Sequence, residues 1–462
     1  RKAAVVDAAR VCWHAYKRDA FGADEYMPIS RKGASVSSSP RGIGYMIADS
    51  LDTLWLAGLK TEYQDGVRFL AQSVDFDVDA PVSVFETTIR VLGGLLSAHA
   101  LSGDKVLLEK ARLLGDRLLP AFNTASGLPA TFVNLARGTT QFYGRDETVN
   151  LAEAGTLQLE FNELSRATDD SRYRDAAQRA ADVIAQLPTL DGLAPTFFNV
   201  DGKRYRAVYK WGASADSYYE YLLKRWLQLG RSQPKLRAQY DAAVRGARMH
   251  LLKTSPEDKL AYIGDMDDNK FVPVFEHLTC FAGGMLALGA MTMSDQEAKQ
   301  RDLDLARDLT RACDTMYSGS PSGLAPERVR FSAAGQTPAP NAIKWSGTAD
   351  MYAVPDERYS LLRPETVESM FILWRATGNV EYREQGWRIF EAMRQHAKFS
   401  DDACLVNVAD VAKVPTPKKD KVETFFMAET LKYLLLLFDD DANTLSLDRF
   451  VFNTEAHPLP IF

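Results

Sequence analysis

The 462-residue sequence contains only four cysteines, Cys12, Cys280, Cys313 and Cys404, and no two of them form a CxxC pair. That spacing excludes a zinc cluster and permits at most two disulfides. The six histidines supply no i,i+4 pair and no HExxH, which argues against a zinc hydrolase. A Walker A loop and a GxSxG elbow are missing. Gly42-Ile43-Gly44 begins like a dinucleotide loop, but Ile47 stands where the third glycine belongs. Charge of one sign is scarce: 55 basic against 61 acidic side chains leave a net charge of −6, with no basic surplus to attract nucleic acid. No apolar run approaches the roughly 20 residues that span a bilayer. No charged-then-apolar signal-peptide pattern is present from Arg1 onward, so the chain reads as a mature or trimmed form. An Asn-x-Ser/Thr sequon is also lacking.

What is present is a globular composition, 46% hydrophobic and 25% charged, in which helical patterns recur from end to end. Leu101-Ser102-Gly103-Asp104, Ala167-Thr168-Asp169-Asp170 and Ala376-Thr377-Gly378-Asn379 each separate two apolar-periodic stretches. Each reads as a helix C-cap followed at once by a new N-cap, the tip of a helical hairpin. A second signal is a loop in near-copies: Ser126-Gly127-Leu128-Pro129, Asp191-Gly192-Leu193-Ala194-Pro195 and Ser322-Gly323-Leu324-Ala325-Pro326. Its glycines are 65 and 131 residues apart, so the second gap hides one unmatched unit. A period near 65 residues predicts about seven helix pairs. Such pairs bury their faces only by stacking on neighbours. With no polar capping repeat at either terminus, a closed all-α toroid is favoured over an open solenoid or a non-repetitive helical domain. Residues 1–462 read as a single domain.

The chemistry resides in acidic residues with apolar or aromatic neighbours: Glu86, Asp216, Glu365, Glu368, Glu423 and Glu455. Singly, each has an ordinary structural explanation. Glu86 and Arg90 make an i,i+4 helix pair, and Glu365 and Glu368 follow Pro364 in a helix's first turn. Together they differ, because a toroid gathers helix starts at one mouth. Carboxylates that face each other there have their pKa values pushed apart, as glycosidases require.

At these residues the sequence closely resembles glycoside hydrolase family 47, the class I α-1,2-mannosidases. The resemblance runs from Asp24-Glu25-Tyr26-Met27-Pro28 to Asn453-Thr454-Glu455-Ala456-His457-Pro458. Between them lie Asp49-Ser50-Leu51-Asp52-Thr53-Leu54, Phe85-Glu86 through Ile89-Arg90, and Ala215-Asp216-Ser217-Tyr218-Tyr219-Glu220. His277-Leu278-Thr279-Cys280-Phe281, Leu362-Arg363-Pro364-Glu365 and Ala428-Glu429-Thr430-Leu431-Lys432-Tyr433 complete the set.

The resemblance implies an (α/α)7 barrel with short β segments in its loops. It also implies an inverting, calcium-dependent exo-enzyme that removes terminal α-1,2-linked mannose from high-mannose glycans. By motif Glu86 is the general acid and Glu365 the general base. Asp216 is a third carboxylate, and the sequence leaves open which of Glu86 and Asp216 delivers the leaving-group proton. Thr454 is expected to bind Ca2+ through hydroxyl and carbonyl oxygens, with Glu365, Glu368, Glu423 and Glu455 holding its waters. Arg90, Glu153, His277 and Arg363 match positions lining the glycan cleft. Cys280 and Cys313 match the family's disulfide, which leaves Cys12 and Cys404 free.

Two positions depart from the pattern. Ser214 replaces a bulky arginine of the endoplasmic-reticulum members, which predicts a wider cleft and broader, Golgi-type trimming. Ser83 stands where some members carry asparagine. The missing sequons and an Ala- and Arg-rich composition point to a bacterial member, periplasmic or secreted. Otherwise a Golgi or endoplasmic-reticulum lumen is expected, and in either case a secretory route and a monomer. Two other readings are a catalytically weak, lectin-like relative that binds mannose glycans, and a non-enzymatic helical scaffold.

Overall fold

The computed structural model describes residues 1–37, 42–144, 146–203, 205–332, 341–441 and 443–462. Among these, fourteen helices form two concentric rings. The inner ring contains α2 (Tyr45–Leu56), α4 (Gly93–Ser102), α6 (Gln158–Thr168), α8 (Asp216–Gln228), α10 (Phe281–Ala290), α12 (Glu365–Thr377) and α14 (Leu431–Leu437). The outer ring contains α1 (Lys2–Ala20), α3 (Lys60–Ser73), α5 (Lys105–Leu118), α7 (Ser171–Ile184), α9 (Pro234–Gly246), α11 (Gln296–Ser318) and α13 (Glu381–His396). Each inner helix packs on the next, and the α14 segment returns to α2, closing the expected (α/α)7 barrel.

Composition follows this placement. Helices α4 (GGLLSAHALS) and α10 (FAGGMLALGA) are small or apolar nearly all round, because both of their sides are covered. Outer helix α7 instead buries one stripe, Tyr173, Ala176, Ala177, Ala180 and Ile184, and leaves the rest to water. Inner and outer helices meet at the predicted tips, with Gly103, Asp169 and Gly378 in the left-handed region at φ 78°, 55° and 70°.

The opposite end of the ring holds the longer connections. Gly127, Gly192 and Gly323 take φ values of 85°, 99° and 69°, and the leucine after each is fully buried. Each loop leads into a short strand: Phe132–Asn134, Phe197–Asn199 or Arg328–Phe331. The unmatched unit is Lys259-Leu260, where Lys259 adopts φ 53°, Leu260 is buried, and strand Ala261–Ile263 follows. A lysine occupies the left-handed position that glycine fills elsewhere, which hid the repeat from its sequence.

A C-terminal hairpin pairs Phe450–Phe452 with Pro458–Pro460 and inserts its turn into the ring. There His457 lies 3.0 Å from Asp49 and 2.8 Å from Asp52, and Lys432 lies 2.8 Å from Asp52. Glycine is required nearby, since a Cβ on Gly94 would sit 2.3 Å from the Ala48 carbonyl oxygen. The false dinucleotide loop also has a structural role, because the amides of Ile43, Gly44 and Tyr45 donate to Asp24 Oδ1 at 2.8–3.1 Å.

Cys280 and Cys313 are bonded as expected. Cys12 and Cys404 are not free: they form a second disulfide that spans 392 residues and ties α1 to the segment after α13. Sequence spacing concealed the pair, because only ring closure brings the two ends of the chain together. Among the described residues no helix is long and apolar enough to cross a membrane.

Candidate active site

Inner helices run parallel, so their N-termini converge on the end of the ring with the long connections. A cavity of about 390 Å³ opens there, lined by the starts of six inner helices, or the segments that lead into them, and by the C-terminal turn. Helix N-termini favour negative charge, which is one physical reason that carboxylates collect here. Glu86, Arg90, Glu153, Ser214, Asp216, Arg363, Glu365, Glu368, Glu423, Thr454 and Glu455 all line this cavity. Residues from across the whole sequence are thus brought together.

Glu365 is the first residue of α12. Its Oε2 is 2.7 Å from His277 Nδ1, and Arg363 lies 3.9 Å from Oε1. Burial opposes its charge, but the His277 hydrogen bond and the positive field of His277 and Arg363 outweigh burial. The carboxyl is held below its ordinary value and stays ionised. Arg363 is itself braced 2.5 Å from Glu327 and lies over the Phe425 ring. His277, expected along the glycan cleft, sits behind Glu365 and is nearly inaccessible. Its Nε2 is engaged by Tyr317 at 2.7 Å and Thr366 at 3.1 Å, so neither ring nitrogen faces the cavity.

Asp216 opens α8 and takes the opposite electrostatic course. Burial, followed by repulsion from Glu276, Glu220 and Glu365, pushes its carboxyl up to about 7, against one stabilising hydrogen bond from the Ser217 amide. Glu86 lies just before a π-helical turn, Thr87–Leu92, that leads into α4. Its Oε2 is 2.7 Å from Arg90 Nε, and Arg90 also contacts Glu455. Ser83, the departure from the family pattern, caps this helical start by accepting the Glu86 amide at 3.2 Å. Glu153 is capped in the same way by Asn150 at 2.8 Å, and burial raises its carboxyl.

The deepest wall is crowded with carboxylates. Burial raises Glu368, Glu429 and Glu455, and repulsion from neighbouring acids adds to each shift: Glu220 and Glu365 on Glu368; Glu455, Glu365 and Glu368 on Glu429; and Asp49 and Glu86 on Glu455. Glu429 and Glu220 were not singled out in the sequence, where each is one acid inside an apolar helix pattern; only burial in the cavity distinguishes them. Glu423 lies further toward the rim, with Asn407 at 2.9 Å and Lys421 at 3.4 Å. Thr454 tops the C-terminal turn, its amide 3.3 Å from Tyr221 Oη. Ser214 holds φ 73°, and its carbonyl accepts the Ala152 amide at 2.9 Å. Among the described residues no three His, Cys, Asp or Glu side chains converge as direct metal ligands. Thr454 nonetheless shares the cavity lining with Glu365, Glu368, Glu429 and Glu455, an acidic set of oxygen donors of the kind that suits a hard cation keeping much of its water.

Comparison with known proteins places the fold in a family. The chain is 41% identical over its full length to the endoplasmic reticulum mannosyl-oligosaccharide 1,2-alpha-mannosidase of Homo sapiens, and spans 64% of that protein. It is 40% identical, again over its full length, to a mannosyl-oligosaccharide 1,2-alpha-mannosidase of Arabidopsis thaliana, covering 79% of it. Its structure superposes on an alpha-1,2-mannosidase from Trichoderma reesei with a TM-score of 0.90 at 28% identity, covering 100% of this chain and 99% of that one. Glycosyl hydrolase family 47 matches residues 8–461, and the chain belongs to that family.

Proposed function

We propose that the chain is an inverting, exo-acting α-1,2-mannosidase that trims high-mannose-type glycans. The observation that carries this reading is the electrostatic contrast in one cavity. Glu365 is held ionised by His277 and Arg363, while burial keeps Asp216 protonated up to about neutral pH. An inverting hydrolysis needs one group of each kind.

In this mechanism a water attacks the anomeric carbon from the side opposite the leaving oxygen. Glu365 accepts that water's proton as the new C–O bond forms. The glycosidic C–O bond breaks, and its oxygen takes a proton from the acid. The acid role falls to Glu86 by motif or to Asp216, whose burial keeps it protonated up to about 7. Arg90 orients Glu86 through the contact of 2.7 Å, and Arg363 does the same for Glu365 from 3.9 Å. The relatives named for this activity support the substrate class. The small Ser214 supports a cleft open to several branches.

Thr454, with Glu365, Glu368, Glu429 and Glu455 around it, is the proposed Ca2+ site. When bound, the ion supplies a fixed positive charge and a template for sugar hydroxyls. Glu423, expected in that set, lines the same cavity nearer the rim, against Asn407 and Lys421. Two disulfides fit a secretory, oxidising compartment.

The test is incubation with α-1,2-mannobiose, with and without Ca2+, followed by NMR of the released sugar. Free mannose appearing first as the β-anomer supports the reading. Mannose binding without release would indicate the lectin-like alternative. Neither binding nor release would leave only a scaffold.

A further inference from the structure

Asp216 and Glu365 belong to helices far apart in sequence, yet the side chains behind both come from one small sheet. Strand Val274–Glu276 pairs antiparallel with Arg328–Phe331, placing Glu276 opposite Arg328. The His277 amide donates to the Glu327 carbonyl at 2.9 Å and extends the pairing by one step. The dipeptide Glu276-His277 therefore leaves the sheet as a unit.

Its two side chains serve different partners. His277 Nδ1 lies 2.7 Å from Glu365 Oε2. Glu276 Oε2 accepts the Ala213 amide at 2.6 Å, and its Oε1 is 2.8 Å from Arg328 and 3.5 Å from Lys210. Ala213 lies in the turn that delivers Asp216, where the amides of Ala215 and Asp216 both donate to the Gly212 carbonyl at 3.1 and 3.0 Å. That turn also puts Ser214 in the left-handed region at φ 73°. Gly212 presses against the same carboxylate, since a Cβ there would sit 2.2 Å from Glu276 Oε2. Glu276 is buried and does not line the cavity, so it acts through the turn and not on the sugar.

We propose that Glu276 is a positioning residue for Asp216, and that the Glu276-His277 dipeptide sets the relative placement of the two opposed carboxyl groups. The proposal rests on the mannosidase reading for its kinetic consequence, but not for its electrostatic one. Asp216 is faced by Glu276, Glu220 and Glu365, all acidic, and by the Ser217 amide. Removing one of the three negative charges eases ionisation of Asp216.

The experiment compares Glu276→Gln, Glu276→Ala and Gly212→Ala with the unmodified chain. Glu276→Gln keeps an acceptor for the Ala213 amide and removes only the charge. Glu276→Ala frees the turn, and Gly212→Ala pushes it from the other side. On α-1,2-mannobiose, Glu276→Ala and Gly212→Ala should lose on the order of 10²-fold in kcat with KM little changed, as expected when a reacting group is displaced by about 1 Å. Glu276→Gln should retain much more of kcat, with the alkaline limb of its profile moved to lower pH. A Glu276→Ala enzyme with unmodified kcat and pH profile overturns the proposal.

Infrared titration provides a readout that does not need turnover. The protonated-carboxyl band that disappears in Asp216→Asn should titrate at lower pH in Glu276→Gln, and an unchanged midpoint overturns the proposal even if Glu276→Ala fails to fold. An unmodified chain that releases no mannose contradicts the functional reading instead, and the infrared comparison still decides this one.

Discussion

His277 Nδ1 lies 2.7 Å from Glu365 Oε2, while His277 Nε2 is 2.7 Å from the Tyr317 hydroxyl. A carboxylate can only accept, so Nδ1 carries the hydrogen that His277 donates to Glu365, while Nε2 is engaged by the Tyr317 hydroxyl. The ring is locked from both sides, and its orientation is transmitted to the carboxylate that has to receive a proton.

Glu365→Gln should therefore abolish mannose release while the chain still binds substrate. An amide cannot accept the water's proton, and loss of a general base costs roughly 10²–10⁴-fold. Single-turnover hydrolysis beside a binding titration checks it; full activity would end the assignment.

Asp216 supplies a pH dependence with a definite sign. Its folded value of about 7 lies above the ordinary 3.8, so the folded chain binds more protons than the unfolded one between those values. Its contribution to stability is fully present below the unfolded value and is lost as pH rises toward 7. Asp216→Asn removes that loss, so it should raise Tm at pH 7.5 and change it little at pH 4. Scanning calorimetry at the two pH values is the measurement.

Calcium should stabilise the chain as well as activate it. A divalent cation relieves the repulsion among Glu365, Glu368, Glu429 and Glu455, which Thr454→Ala would weaken. The expected result is a Tm that rises with added Ca2+, by mass action, and falls back with chelator. Equal Tm under both conditions contradicts the site.

The disulfide between Cys12 and Cys404 should stabilise without affecting catalysis. Closing so long a loop is worth about 2–5 kcal/mol, and neither cysteine lines the cavity. The double variant Cys12→Ala, Cys404→Ala should have a lower denaturation midpoint and unmodified kcat at room temperature.

Ser214→Arg tests the width of the cleft. Ser214 lines the cavity at φ 73°, and a long side chain there would fill space beside Glu153 and Asp216. Activity on branched high-mannose glycans should fall more than on mannobiose, as read by the ratio of kcat/KM values.

Much of this protein can be read along one dimension. Hairpin tips such as Ser102-Gly103-Asp104 are local chemistry, and the Gly-Leu loops mark the period because a left-handed residue and a buried leucine recur in successive units from residue 127 to 324. The acids carried by motifs, Glu86, Asp216, Glu365 and Glu455, do share a cavity. Lys259 shows the limit of local reading, since a lysine took the left-handed position at a cost its sequence does not announce.

What tertiary structure alone decided is which distant groups face one another. Cys12 meets Cys404 because α14 closes onto α2 and α1, a relation between chain ends that no spacing encodes. His277 supports Glu365 from behind and does not line the cleft, because the strand before it fixes its direction. Glu429 became part of the site only when burial surrounded it with other acids. Residue type and periodicity determined the ring and the kind of chemistry; burial and mutual distance, properties of the closed ring, decided which carboxyl holds a proton and which is ready to take one.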